Sequence, residues 1–317
     1  MKSRLLALVL VLILSFTLIS AVGAQDPLDP CYQLSGADCE FIQAADANSA
    51  SSFNYTMGFD LTADLSAIGM MEPGTPTNVT ISAQGNGSFN LETESLSWNL
   101  QGAANDGTEE TPFDVGLVIV DGMAYVMSPD TDGQWRGGPL DSAMAEAGLP
   151  FDPMALMSGE MNMMDMAGDM GDVESLANVP GLITRTRLAD EDMMGQTNYP
   201  FQTTLDLAAL FSAPEFMEAM SGLEALGDDA AMAAMIVPML TDGLVLTINQ
   251  TQWYGANDSF THRIQFDGDV SVDLGMLMSM MGGGEEMPEL PPITAKLILW
   301  VDVTDHNNAA PIVAPEG

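Results

Sequence analysis

FDVGLVIVDGMAYVM, residues 113–127, is the stretch of sequence that decides the fold. Val115, Leu117 and Ile119 alternate with their neighbours, which is the period of a strand with one buried face. Asp121-Gly122 is a dipeptide typical of the two-residue turns that match the twist of antiparallel strands. After this turn the alternation resumes, at Met123, Tyr125 and Met127. The stretch therefore predicts a β-hairpin.

The same period of two predicts further strands on both sides of this hairpin. They cover residues 53–61, 79–91, 96–100, 182–188, 198–207, 244–253, 260–274 and 297–303. Most are joined by short turns without an intervening helix, so neighbours are expected to run antiparallel. Gly85 and Gly87 share one face of a strand, which predicts a bend or bulge in a curved sheet. With short segments included, we expect about ten or eleven strands.

Helical patterns occur in two places. An insert at residues 139–180 combines short helical segments with methionine, glycine and aspartate. Residues 212–240 predict a pair of helices, because Ser212 and Glu215 have capping-box spacing and several apolar residues follow one helical face. No period of about 20 to 50 residues recurs, so a propeller or solenoid is not expected. We expect one α+β domain over residues 51–305.

The first 24 residues have the pattern of an export signal. Lys2 and Arg4 precede an apolar run at residues 5–19, and Val22 and Ala24 fit a cleavage site before Gln25. The alternative is an uncleaved membrane anchor, since residues 5–24 have about the length of a membrane helix. We therefore expect a secreted or cell-envelope protein.

Cys31 and Cys39 are the two cysteines of the chain, and both follow the predicted signal peptide. An even number of cysteines in an oxidising compartment predicts a disulfide. The alternative is a pair of free thiols or soft-metal ligands. The bond would lie in a lead-in segment at residues 25–50, and a disordered tail is expected at residues 306–317.

The charge of the chain excludes a whole class of partners. Seven lysine and arginine residues stand against 45 aspartate and glutamate residues, for a net charge of −38. Binding to nucleic acid requires a basic patch that displaces counterions, and so few cations cannot form one. Hydrophobic residues are 47% of the chain, so it can bury a sizeable core despite its acidity.

Catalytic signals are weak. The chain has two histidines, His262 and His306, and both are interpreted as surface residues. It has no nucleophile elbow of the Gly-x-Ser-x-Gly type, no phosphate-binding loop with a lysine and no histidine-rich zinc spacing. The sequence therefore predicts a protein that is not an enzyme and that uses no cofactor.

Methionine is the compositional anomaly, at 26 residues. Thioethers select Cu(I), and the insert contains Met161, Met163, Met164 and Met166. The favoured alternative is that methionine fills the core or lines a ligand pocket, because its flexible side chain adapts to varied shapes. Clustered carboxylates in the insert lack the spacing of a calcium loop. No metal site is assigned.

The hairpin resembles a known family. Residues 121–127, DGMAYVM, followed by Gly133-Gln134-Trp135, are similar to the DGxxYxx…GxW hairpin of the LolA/LppX-like lipoprotein-carrier superfamily. Looser likeness extends over residues 40–305. The resemblance implies a strongly curved antiparallel sheet, an incomplete barrel, whose concave face is covered by helices and holds acyl chains or a lipid moiety. Cys31 is not preceded by a lipobox, so tethering through a lipidated cysteine is not expected.

These observations favour a non-enzymatic exported protein that binds a lipid or other apolar ligand between the sheet and its helices. Candidate residues for the cavity are Tyr55, Phe59, Trp98, Tyr125, Trp135, Met217, Met220, Met232 and Met235. Two alternatives stay open: a structural or interaction module of the cell surface with a filled core, and a metal-binding protein that uses the insert. Peripheral contact with a membrane or envelope is also left open, and the sequence does not define an oligomeric state.

Overall fold

The computed structural model describes residues 31, 34, 36–48, 50–71, 76–140, 181–206, 244–273, 275 and 290–316. Twelve strands lie in these residues: β1 (Ser52–Asp64), β2 (Asn78–Asn90), β3 (Ser95–Asn105), β4 (Glu110–Val120), β5 (Met123–Met127), β6 (Arg136–Pro139), β7 (Ile183–Arg187), β8 (Glu191–Met193), β9 (Gln196–Asp206), β10 (Leu244–Gly255), β11 (Thr261–Val272) and β12 (Ile293–Thr304). Two α-helices accompany them, α1 (Ala37–Asp46) and α2 (Ser66–Met71).

All twelve strands belong to one sheet. Its order is β6-β5-β4-β3-β2-β1-β12-β11-β10-β9-β7, with β8 paired to β9. Every pairing is antiparallel, as the short connections predicted. The sheet is open, because β6 and β7 lie at its two ends and do not pair with each other. The described residues contain twelve strands, whereas ten or eleven were expected, because β6 and β8 are too short to show a period in the sequence.

The predicted hairpin is present as the β4–β5 pair. Asp121 and Gly122 both have positive φ, at 54° and 70°, which is the two-residue turn that keeps antiparallel strands in register. Met194 and Gly195 form the same kind of turn between β8 and β9, at 55° and 80°. These turns place consecutive strands side by side.

One face of the sheet carries the apolar core. Phe53, Met57 and Phe59 of β1 are buried, and so are Leu299 and Val301 on the neighbouring β12. We call the face that these five residues share the core face, and the opposite one the outer face. The same cluster continues over β2, β3, β4, β5 and β11. Burying a side chain of this size stabilises the fold by about 1.5–3 kcal/mol.

Gly85 and Gly87 do not form the predicted bulge. The pairings of β2 with β1 and with β3 run through both glycines without a break. Gly87 is instead required by both neighbouring strands, because a Cβ at this position would overlap the backbone carbonyl oxygen of Ser97 in β3 and would lie 2.5 Å from Cζ and Oη of Tyr55 in β1. The glycine makes room for the tyrosine ring on the core face.

Several expectations fall on residues outside the described part. They include the signal peptide, residues 141–180 of the insert and the two helices predicted within residues 212–240. The covering of the core face by those helices therefore stays a prediction. Among the described residues, no helix is long and apolar enough to cross a membrane.

We expect Gly87→Ala to lower the free energy of unfolding by about 1–3 kcal/mol, because the added methyl group would overlap the Ser97 carbonyl oxygen and the Tyr55 ring. Urea unfolding measures the change. The matched control is Gly138→Ala, where a Cβ would meet nothing within 4 Å, and where a change within about 0.5 kcal/mol is expected. Equal losses in the two variants would contradict the role assigned to Gly87.

Candidate ligand-binding face

Three of the predicted cavity residues lie together on the core face. Tyr55 of β1 pairs with Gly87 of β2, and Gly87 pairs in turn with Trp98 of β3. Phe59 is buried further along β1. The Tyr55 hydroxyl donates a hydrogen bond to the carbonyl oxygen of Ser97 at 3.1 Å. Burial raises the pKa of Tyr55 far above its usual value, because the phenolate would lose its hydration.

Trp98 carries a polar group that the described structure does not satisfy. The indole packs against the apolar cluster of the core face. Its Nε1 is buried, and within the described part of the chain it has no hydrogen-bond partner. A buried donor without an acceptor costs about 1–3 kcal/mol. Such a group needs a physical explanation, and an acceptor supplied by a ligand is one.

Tyr125 and Trp135 lie on the outer face, away from these three residues. The two-residue turn pairs Ile119 with Ala124, which are both in the core, so Tyr125 falls on the other side with Val118. Trp135 packs over Gly116 of β4, where a Cβ would lie 2.6 Å from the indole ring. The Asp121-Gly122 turn is visible in the sequence, and the strand pairing that it sets could have assigned Tyr125 to the outer face.

The four methionines predicted to line the cavity lie outside the described residues. They are Met217, Met220, Met232 and Met235. Their role stays a prediction.

A second apolar cluster lies where α1 packs against the sheet. Ile42 and Ala45 of α1 are buried against Phe201 of β9 and Tyr254 of β10. Phe41 makes an edge contact with Tyr199 at 5.2 Å between ring centroids. Aromatic pairs of this kind add about 0.5–1.5 kcal/mol to the burial of their area. No contact between this lead-in segment and the sheet was predicted from the sequence.

Polar contacts and a disulfide fix α1 at both ends. Near its first turn, Asp38 accepts a hydrogen bond from Arg187 Nη1 at 2.9 Å. Arg187 also lies over the Tyr199 ring, with Cζ 4.1 Å from the centroid. At the last turn, the Tyr254 hydroxyl oxygen lies 3.3 Å from Asp46 Oδ1. The predicted Cys31–Cys39 disulfide is present, with 5.1 Å between the Cα atoms.

Polar side chains extend this contact along the sheet. Arg185 Nη2 donates to Gln252 Oε1 at 2.9 Å, and the Tyr254 hydroxyl donates to the same oxygen at 2.7 Å. Burial raises the pKa of Tyr254 far above its usual value, and the nearby Asp46 acts in the same direction. The β9–β10 end of the core face is thus partly polar, whereas the β1–β5 part is apolar.

His262 is not a surface residue, contrary to the sequence interpretation. Its exposure is 6%, and the pairing of β10 with β11 is irregular beside it, so that Tyr254 is paired with Thr261. His262 Nε2 contacts Asp258 Oδ2 at 3.1 Å and Gln196 Nε2 at 2.7 Å. No serine, threonine or cysteine side chain bonds to this histidine in the described part, so no nucleophile pair is formed there.

His306 stacks on the ring of Phe260 at 4.7 Å and contacts the ring of His262 at 4.9 Å. Its Nε2 donates to the carbonyl oxygen of Thr261 at 2.8 Å. Burial lowers the pKa of His306 below its usual value. These contacts attach the start of the C-terminal segment to the β10–β11 turn, which is a structural role.

No group of three or more His, Cys, Asp or Glu side chains suited to a metal ion occurs among the described residues. The methionine-rich insert at residues 141–180 lies outside them, so its metal-binding alternative stays open.

The burial of the Tyr55 hydroxyl should make the free energy of unfolding depend on pH in the alkaline range. Because its folded-state pKa is raised above the unfolded value of about 10, its contribution to stability is complete below that pH and is lost as the pH rises further. Tyr55→Phe lacks the titrating hydroxyl. Above about pH 10, the unfolding free energy of this variant should therefore fall less steeply than that of the wild-type protein, and the two slopes should differ by about 1 kcal/mol per pH unit. Denaturant unfolding across this range tests the slope. Parallel curves for the two proteins would refute the burial of the hydroxyl.

Arg187→Gln should loosen α1, because it removes both the Asp38 contact and the cation–π contact with Tyr199. Global stability should fall by about 1 kcal/mol, since the ion pair is partly exposed. The sharper measurement is hydrogen exchange, which should accelerate for the amides of residues 37–46. Arg136→Gln, in the exposed edge strand β6, is the matched control and should leave this exchange unchanged. Unchanged exchange in Arg187→Gln would show that the arginine does not hold the helix.

No protein-family model matches the chain, and no curated protein matches its sequence. Several solved structures are similar to it, among them the three that follow. LprF from Mycobacterium bovis has 11% identity and a TM-score of 0.35, with 88% of this chain and 96% of LprF covered. The lipoprotein LppX from Mycobacterium tuberculosis has 9% identity and a TM-score of 0.31, with 87% and 97% covered.

The third is an outer membrane lipoprotein-sorting protein domain from Vibrio parahaemolyticus, with 10% identity, a TM-score of 0.20, and 84% and 89% covered. At TM-scores this low, the likenesses carry no inference about a ligand. The chain is loosely similar to LprF, to LppX and to this lipoprotein-sorting domain.

Proposed function

We propose that this is an exported, non-enzymatic protein that binds a lipid or other apolar ligand against the core face of its sheet. The observation that carries the proposal is the buried Nε1 of Trp98, which has no acceptor in the described part of the chain. An apolar ligand with one oxygen acceptor would satisfy this donor and leave the rest of the face in apolar contact.

The surroundings of Trp98 match such a ligand in chemistry. Its neighbours on the core face are Leu96, Leu100 and Leu117, together with the ring of Tyr55. The Tyr55 hydroxyl already donates its proton to Ser97, so it is an acceptor and not a second donor toward a ligand. The described cluster contains no charged side chain. A neutral ester or carbonyl on an alkyl chain therefore fits better than an ionised head group.

The distribution of charge supports the same function. The net charge of −38 is carried by a chain whose core cluster consists of apolar side chains only. The disulfide is what an oxidising, extracytoplasmic compartment permits. An acidic outer shell keeps such a protein soluble and monodisperse while the apolar face is reserved for the ligand.

The test compares two probes that differ in one acceptor: methyl laurate, which has an ester, and dodecane, which has none. Each is delivered on cyclodextrin, and binding is followed by tryptophan fluorescence and native mass spectrometry. Trp98→Phe should weaken methyl laurate binding by about two- to tenfold, the value of one hydrogen bond. It should leave dodecane binding nearly unchanged, because phenylalanine keeps an aromatic ring in the face.

Trp135→Phe is the matched control, since Trp135 packs on Gly116 of the outer face. It should change the affinity for neither probe. If the wild-type protein takes up neither probe and carries no lipid after purification, the core is filled and the protein is the alternative interaction module. If Trp135→Phe weakens binding as much as Trp98→Phe, the core face is not the site.

A further inference from the structure

A groove of about 390 Å³ lies at one end of the sheet, away from Trp98. It is formed where β1 ends and where β2, β10 and β12 begin. Most of its lining residues belong to the outer face, because they alternate with residues of the core face along each strand. Those used below are Asp64, Val245, Asp269 and Lys296.

Strand pairing orders these residues into two rows. Asp64, Thr294, Ser271 and Val245 are consecutive partners across β1, β12, β11 and β10. Four strands at the usual spacing make this row about 14 Å wide. The second row places Lys296 between Thr62 and Asp269. The groove floor therefore holds the cation Lys296 with the carboxylate of Asp269 beside it on the neighbouring strand. The carboxylate of Asp64 lies in the other row.

The charges of the groove are available to a ligand. Lys296 is exposed, and it is the one lysine of the chain after Lys2. Within the described residues it forms no ion pair. Asp269 is exposed as well. The Ser66 amide donates to Asp64 at 2.9 Å, and the hydrogen bonds from Ser66 hold the pKa of this carboxyl below its usual value, so it is ionised at neutral pH.

Exposed apolar side chains gather at the same end. Val245 lines the groove and is 62% exposed. Met70 and Met71 are 63% and 45% exposed, and they end helix α2, which begins two residues after Asp64. Single exposed apolar residues are ordinary on a protein surface. Here Val245 lies in the charged groove itself, and the two methionines end the helix that follows β1 at this end of the sheet.

We infer that this end of the sheet docks on a bilayer of zwitterionic phospholipid. Lys296 contacts the phosphate of a head group, Asp64 and Asp269 contact its ammonium group, and Met70, Met71 and Val245 enter the apolar layer beneath. One cation beside two anions matches a head group that carries both signs. The net charge of −38 disfavours an anionic membrane, since repulsion acts over the screening length of about 8 Å.

The exposed methionines and valine select a bilayer over a free head group, because they gain apolar contact only from an acyl layer. This inference rests on the proposed function for its purpose, since a lipid-binding protein must meet its ligand at a membrane. The groove itself lies on the other face from Trp98, so the two sites can be tested separately.

The experiment is flotation of the protein, purified as the cell exports it, with vesicles of pure phosphatidylcholine and with vesicles in which one part in four is phosphatidylglycerol. We expect binding to the first and weaker binding to the second. Lys296→Gln should weaken binding to phosphatidylcholine vesicles by about fivefold. The double variant Met70→Ser, Met71→Ser should weaken it by about tenfold or more.

The matched control is the double variant Leu91→Ser, Met194→Ser, which removes two exposed apolar side chains from turns elsewhere in the sheet. It should bind as the wild-type protein does. Absence of flotation, stronger binding to the phosphatidylglycerol vesicles, or an equal loss in the control would overturn the inference.

Methyl laurate uptake separates this inference from the proposed function. Lys296→Gln should take up methyl laurate as well as the wild-type protein, because its site is on the outer face. Flotation without uptake would overturn the proposed function alone. Uptake without flotation would overturn the docking surface alone.

Discussion

β1 is hydrogen-bonded to β2 on one side and to β12 on the other, and both ladders run along most of its length. One partner follows it directly in the chain, whereas the other is the last strand. This second pairing joins the β1–β6 meander to the β7–β12 part, so a single sheet results. The continuous core face and the groove at the sheet end both depend on it, because each uses residues from both parts of the chain.

The alternation of side chains along these strands divides the protein into two surfaces with different chemistry. The core face holds phenylalanine, leucine and valine, together with Tyr55 and Trp98, whose rings each carry one polar group. The outer face of the same strands holds threonine, asparagine and charged residues, among them Lys296 and Asp269. Because successive side chains point to opposite faces, a shift of one residue in any pairing would exchange the two surfaces. The positive-φ turns at Asp121-Gly122 and Met194-Gly195 protect against such a shift.

Local patterns predicted much of this arrangement. The strands, the Asp121-Gly122 turn and the disulfide depend on neighbouring residues, or on two cysteines a few residues apart, and all are present. The errors arise where a side chain is placed by a partner distant in the chain. Trp135 follows no period and packs on Gly116, and His262 is buried by the β10–β11 irregularity together with Gln196 and Asp258. Tyr125 is different, since the pairing across a two-residue turn already assigns it to the outer face.

By itself, the sequence determined which segments are strands, where the chain turns, and that an acidic protein encloses an apolar core, because period, turn residues and composition act locally. Tertiary structure alone decided that β1 meets β12, that the Nε1 of Trp98 is buried without a partner in the described part of the chain, and that Asp64, Lys296 and Val245 share one groove. These features are contacts between segments far apart in the chain. Their free energy depends on which strands pair, and no local pattern encodes that choice.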